Sequence, residues 1–496
     1  MKISEAAALW EPLPVGEWND EAARHLLRRT GWAARPDAVE RAVKEGLPGT
    51  LDRLFPSAPV SFPKTPLLLK LEEDYPELRQ KARQSTGLAR RAAQRDLRER
   101  ANAAIQEFRL EWLQVAATPE NAAFAKWVLF LSDVYVVSAE KVRHAGFIWT
   151  HFDTLGRHAF DAAPKLTKAV SRSPAMAMYL DLAQSNKTAP NENFARELFE
   201  LFVLGEGHYS EQDIKEAARA FTGYRVDPFT GEFRFEPRRH DARVKTLWGA
   251  KGAFSGDEVI DLAYQQPAAA VFLPRELARF YLTGEALSPD IFAGLADRWR
   301  EQGYSLKALT RDFFGSRMFF APEYRGNFIK SPIHFYLGLL QDLSLSVPPL
   351  PRFTSNRLRQ MGQQLFQPPN VRGWIGGRAW INSSTLAARR QVVQQLFAPI
   401  REEALNADER AALDKARQSG VRNFTVSDDW LEGFAAKPVD EATASMITRF
   451  LPGETDPELE RALQKFVEGR HEPAHRAARF GTALRALLQT PAYQLC

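Results

Sequence analysis

The stretch 191–224, NENFARELFELFVLGEGHYSEQDIKEAARAFTGY, leaves the backbone little choice. At about 100° per residue, Phe194, Leu198, Leu201 and Phe202 share one arc of a helix. Asn193, Arg196, Glu197 and Glu200 share the opposite one. Asn191 is placed to cap this helix, with Glu192 in the first turn, where a carboxylate is favourable. Gly205 ends it and Gly207 helps turn the chain. Ser210 and Asp213 then form a capping box. Ile214, Ala217, Ala218 and Phe221 make the buried side of the second helix; Lys215, Glu216 and Arg219 make the other. The expected unit is a helical hairpin with two polar faces.

The rest of the chain reads as helices around it, with one interruption. Residues 224–237 alternate apolar and polar on two arms, and Pro228 to Gly231 supply a turn, so a β-hairpin is expected there, resting on helices. His240, Asp241 and Lys245 follow it in a segment that a rigid element positions. Residues 67–118 read as a long Arg-rich helical arm, broken near Ser85-Thr86-Gly87. Its second half carries Leu97, Ala101, Ala104, Phe108, Trp112 and Val115 as one apolar stripe. Near the start, Ala22, Ala23, Leu26 and Leu27 form one side of a helix capped by Asn19 or Asp20, and Arg24, Arg28 and Arg29 the other. Residues 122–137 are apolar enough to cross the core. Four prolines make 56–66 a loop. Residues 343–385 are irregular, rich in Pro, Gly and Trp, with Trp374 and Trp380 buried. Pro438, Pro452, Pro457 and Pro473 open short helices toward the end. The expected fold is mainly α: one large multi-helix domain over 1–496, with a small hairpin near 224–237 and a projecting arm near 67–118.

Composition narrows the function classes. Lys and Arg number 66 against 61 Asp and Glu, a small excess for this length and weak support for nucleic acid. Acids are interleaved with the arginines of the arm, and no aromatic pattern accompanies them. A solvated face with salt pairs is therefore the plainer reading, and nucleic-acid binding the alternative. Cys496 is the only cysteine, so no intrachain disulfide can form. No run reaches the roughly 18 apolar residues of a membrane helix. The N-terminus reads as lacking a signal peptide. That predicts a cytoplasmic protein, or an exported one if the N-terminus is processed. HExxH, the P-loop, the Rossmann fingerprint and the G-x-S-x-G elbow are all absent.

The polar face of 191–200 has two readings. One is a solvated ladder, Glu192, Arg196, Glu200. In the other, Asn191, Glu192, Asn193, Arg196, Arg219, His158 and Lys245 line a pocket. Glu197, Glu200, His240 and Asp241 then act as catalytic groups within it. There Glu197, Glu200 and His240 would hold a divalent metal: Mg²⁺ or Ca²⁺ on oxygens alone, Zn²⁺ or Mn²⁺ once His158 or His240 joins. A metal-dependent hydrolase would use metal-bound water as nucleophile and a glutamate as base.

These same segments, together with Lys330-Ser331-Pro332, MGQQLFQPPNVRGW and WINSSTLAAR, resemble the bacterial family catalogued as domain of unknown function eighteen hundred. The resemblance runs from about His25 to the C-terminus. It implies a mostly helical single domain without an established activity, often encoded beside a sulfatase-like family that becomes the candidate protein partner. Many members resemble F-W-H-N-H-F before a V-S-x-x-K-V segment, and its two histidines look like metal ligands. Here the aligned residues are Phe130 to Tyr135, with Ser132 and Val134 in the histidine positions. His151 lies beyond VSAEKV, in the next helix, and Gln266 stands where the family often has His. Valine cannot ligate a metal and serine does so poorly. The expectation is a non-catalytic or catalytically altered helical protein acting through a partner. The metal-dependent hydrolase and the nucleic-acid binder remain alternatives.

Overall fold

The computed structural model describes residues 7–56, 58, 61–453, 456–469 and 476–496. The expected helix start at Pro473 lies outside them, as does part of the proline loop at 56–66. The chain is 65% helical. Among the described residues the strands make two antiparallel two-stranded sheets, and no helix is long and apolar enough to cross a membrane.

Helix α1 (Asp20–Thr30) starts at Asn19, whose side chain accepts from the Ala22 N–H. It buries the expected Ala22, Ala23, Leu26 and Leu27, but Arg28 and Arg29 are buried too. Arg29 donates to the carbonyls of Tyr281 and Leu282 at 2.9 Å. Those carbonyls end a helix and have no partner within it, so they draw the guanidinium inward.

Helices α2 (Pro66–Gln84) and α3 (Gly87–Ala117) fold back on each other across the expected break. The tip near 86–92 is exposed, whereas Ala104, Phe108, Trp112 and Leu113 are buried in the main core. The arm thus packs on its own domain.

Every residue of α4 (Ala122–Val134) is buried. Its one cation, Lys126, donates to the carbonyls of Arg29 (2.7 Å) and Gly31 (2.9 Å) and lies 3.2 Å from His334 Nδ1. The other ring nitrogen of His334 lies 3.1 Å from the Trp32 carbonyl. A neutral ring with its proton on Nε2 satisfies both contacts.

The central helix divides into α5 (Glu192–Glu197) and a π-helical turn (Leu198–Val203), closed by Leu204 N–H donating to the Phe199 carbonyl at 2.9 Å. The wider turn shifts the buried face. Phe199 and Val203 become buried beside Phe194, Leu198 and Phe202, and Leu201 is left half-buried. Helix α6 (Glu211–Ala220) carries the expected Ser210–Asp213 capping box.

Strands β1 (Tyr224–Val226) and β2 (Phe233–Phe235) pair with Tyr224 opposite Phe235. A second hairpin, β3 (Lys245–Leu247) with β4 (Ala250–Gly252), follows. Its two-residue loop is Trp248-Gly249, both at positive φ. Such loops ordinarily carry Asn-Gly or Asp-Gly, and Trp-Gly does not match that pattern. Helices α7 (Pro267–Tyr281) and α8 (Pro332–Asp342) precede the segment expected to be irregular, but α9 (Pro351–Gln360) lies inside 343–385, with Pro351 opening its first turn. Trp374 and Trp380 are both buried there, as expected. Pro452 follows a helix rather than opening one.

Burial lowers the Lys126 pKa to about 7 and that of Lys330, which lies over the Tyr493 ring, to about 8. An unfolded lysine titrates near 10.4. Between about pH 8 and 10 the unfolded chain therefore holds more protons than the folded one, and folding stability rises with pH. Urea unfolding at both ends of that window should show the rise, and Lys126→Met should flatten it.

Candidate functional site

The π-helical turn places Glu200 on the wall of an open cleft of about 490 Å³. Facing it across the cleft are α7, through Arg275, Glu276 and Arg279, and the irregular segment, through Arg372 and Trp374. The floor is Asp133, near the end of α4, the single acid in an otherwise apolar stretch of that helix.

The charges are closely paired. Glu200 accepts from Arg372 at 2.6 Å and from the Tyr209 hydroxyl at 3.1 Å. Arg372 also reaches Glu206 at 2.7 Å. Asp133 accepts from Arg279 (3.1 Å) and from the Trp374 N–H (3.0 Å). Arg279 in turn donates to Glu276 at 2.8 Å, and Arg275 lies 3.6 Å from that carboxylate. Burial raises the Asp133 pKa against the pull of Arg279 and the Trp374 N–H. Arg279 is also desolvated, but Asp133 and Glu276 hold its pKa above the usual value. Burial and the bond to Glu200 raise Tyr209 to about 12.

The residues singled out from the sequence divide among several places. Glu200 lines the cleft. Glu197, half-buried, has its pKa raised by burial and by the charge of Glu200, and feels Arg372 and Arg196. Asn191 caps α5, accepting from Asn193 N–H at 2.9 Å. Arg196 turns away from the cleft, forking to both oxygens of Glu211 at 2.8 Å and reaching Glu192 at 3.4 Å. His158 pairs with Asp161 at 2.7 Å. His240, Asp241, Arg219 and Lys245 form a separate cluster at the base of the second hairpin. There Asp241 accepts from Arg219 (2.9 Å) and Arg243 (2.6 Å). Lys245 donates to the Asp241 carbonyl at 2.6 Å. His240 Nδ1 lies 2.9 Å from the Thr222 carbonyl.

Glu197, Glu200 and His240 therefore do not form a common site. Among the described residues no group of three His, Cys, Asp or Glu side chains is arranged to hold a metal ion. The oxygens of Asp133 and Glu200 that face the cleft already accept from arginine, tyrosine or backbone N–H. Val134, in one of the two histidine positions, lines the cleft with an apolar side chain. Ser132 instead donates to the Leu129 carbonyl at 2.8 Å. The donor set does not fit a metal.

Sequence reasoning missed Asp133, Glu276, Arg279 and Arg372. Asp133 did carry a signal: the one acid of a mostly apolar, core-crossing helix needs a buried partner.

A family model described as "Protein of unknown function (DUF1800)" matches residues 25–495. No curated protein and no solved structure matches the chain.

Proposed function

The chain belongs to the DUF1800 family, and we propose that it is a non-catalytic helical protein that docks a protein partner at the acid–arginine cleft. One observation carries this reading: each lining carboxylate is already engaged by a guanidinium. Among the described residues each lining carboxylate would have to give up a guanidinium to act as a base or to hold a metal. Paired charges at a rim serve partner selection and register more than chemistry. Beside them Ile375 is 80% exposed, an apolar contact next to the exposed Arg372. The partner implied by the family resemblance is a sulfatase-like protein, and it is the first candidate to test.

Immobilised chain titrated with that protein should bind it. The double variant Arg372→Glu/Ile375→Asp should weaken binding by about tenfold or more, with an unchanged circular dichroism spectrum. Equal binding by both forms would count against the cleft. A stoichiometric divalent metal in the purified protein, lost in Glu197→Ala/Glu200→Ala, would return the hydrolase reading.

A further inference from the structure

A second cleft, of about 710 Å³, lies between α3, the turn after Ser138 and the QLFQPPN segment. Four arginines line it: Arg98 and Arg109 from α3, Arg143, and Arg359 from α9. Among the described residues Glu140 is the single carboxylate in the lining.

The pairing differs sharply from that in the first cleft. Among the described residues none of these four guanidiniums meets a carboxylate, whereas Arg275, Arg279 and Arg372 of the first cleft all do. Arg95 is bonded to Glu99 (2.9 Å), and Arg100 to Asp96 (3.0 Å) and Asp74 (3.1 Å). Arg143 turns its Nε onto the Glu140 backbone carbonyl at 2.9 Å, and Arg359 reaches the Asn356 side chain.

Arg109 is the most telling. Only 4% of it is exposed. Its Nε donates to the Leu365 carbonyl at 2.8 Å, which fixes the plane of the guanidinium. No other hydrogen bond to a described residue holds its two terminal amino groups, and the residue lines the cleft. Burial and the nearby Arg359 lower its pKa to about 10, which leaves it charged at neutral pH. A buried cation without a counter-charge is costly unless an anion completes it. A guanidinium fixed at Nε with its amino edge free suits a tetrahedral oxyanion, which it can grip with two parallel bonds.

We propose that this cleft binds a small ligand bearing a phosphate or sulfate group, with Arg109 gripping the oxyanion and Arg98, Arg143 and Arg359 around it. The volume suits a molecule of sugar-phosphate or nucleotide size. A polynucleotide fits less well. Among the described residues no aromatic side chain lines the cleft to stack a base, and the neighbouring Arg95 and Arg100 are already neutralised.

Calorimetric titration of the full chain with pyrophosphate, with sulfate and with a single-stranded oligonucleotide tests this, at about 50 and about 200 mM salt. Pyrophosphate or sulfate should bind, and the stronger of the two identifies the oxyanion. Arg109→Lys should weaken that binding by about tenfold, because a lysine cannot fork. Arg109 also holds the Leu365 carbonyl, so Arg143→Gln and Arg359→Gln provide the readout that spares the fold; each should weaken binding severalfold. Absence of binding by both anions, or binding unchanged in the two surface variants, overturns the proposal. So does tighter binding of the oligonucleotide with a steep salt dependence.

Discussion

Gly373→Ala is expected to lower folding stability by about 3–5 kcal/mol, the range for breaking a buried ion pair. Gly373 sits at φ +76°, where a side chain is strained. A Cβ there would collide with Asp133 Oδ1, the oxygen that accepts from the Trp374 N–H. Asp133 is buried on a fully buried helix and cannot retreat without giving up Arg279 or Trp374. The glycine of the VRGW motif is thus required by a close approach to a carboxylate as well as by a turn. Chemical denaturation of the variant against Gly377→Ala separates the two requirements. Gly377 also has positive φ, but its Cβ would meet nothing closer than 3.6 Å, so only the strain should show, at about 1–2 kcal/mol. Equal losses in the two variants would mean that the contact with Asp133 contributes little.

The second large effect belongs to Asp241, which the sequence placed in a catalytic role. Its side chain is 1% exposed. It accepts from Nε and Nη2 of Arg219 and from the backbone N–H, Nε and Nη2 of Arg243. Arg219 also pairs with Glu216 at 2.6 Å, and Glu216 accepts from the Thr246 N–H of β3 at 3.3 Å. The cluster therefore pins the second hairpin to α6. Asp241→Ala should destabilise the protein by about 3–5 kcal/mol, because Arg219 loses its buried partner. Arg243→Ala, whose side chain is 76% exposed, should cost less than about 1 kcal/mol. Hydrogen bonds from Arg243 and Arg219 hold the Asp241 carboxyl far below the usual carboxylate range. Its contribution is complete above the unfolded value near 4 and declines as acid protonates it. Wild type should lose stability below about pH 4 more steeply than Asp241→Ala. Parallel acid profiles would remove Asp241 from that role.

The candidate site was half-visible in the residues. Glu200 was identified because it sits on a regular polar arc close to a helix end. Periodicity could not show that the helix widens into a π turn at Leu198, which exchanges Leu201 for Phe199 and Val203 on the buried side. His240 and Asp241 were grouped with Glu200 because all are polar and close in sequence to the same hairpin. Their partners decided otherwise, since Arg219 and Arg243 satisfy Asp241 where it stands. The four unpaired arginines of the second cleft were hidden for a related reason. On the arm Arg98 looks no different from Arg95, and only the packing of Arg143 and Arg359 beside it sets it apart.

By itself the sequence determined most of the helices, the caps at Asn191 and Ser210, a cap at Asn19 or its neighbour Asp20, a hairpin within 224–237 and the burial of Trp374 and Trp380. These follow from steric and hydrogen-bonding preferences among residues a few positions apart, and from the apolar area of large rings. Only the tertiary structure decided which charges meet. Asp133 and Trp374 are 241 positions apart, and Glu200 and Arg372 are 172 apart. The strength of each contact depends on how deeply distant elements bury it, and no local pattern along the chain encodes that depth.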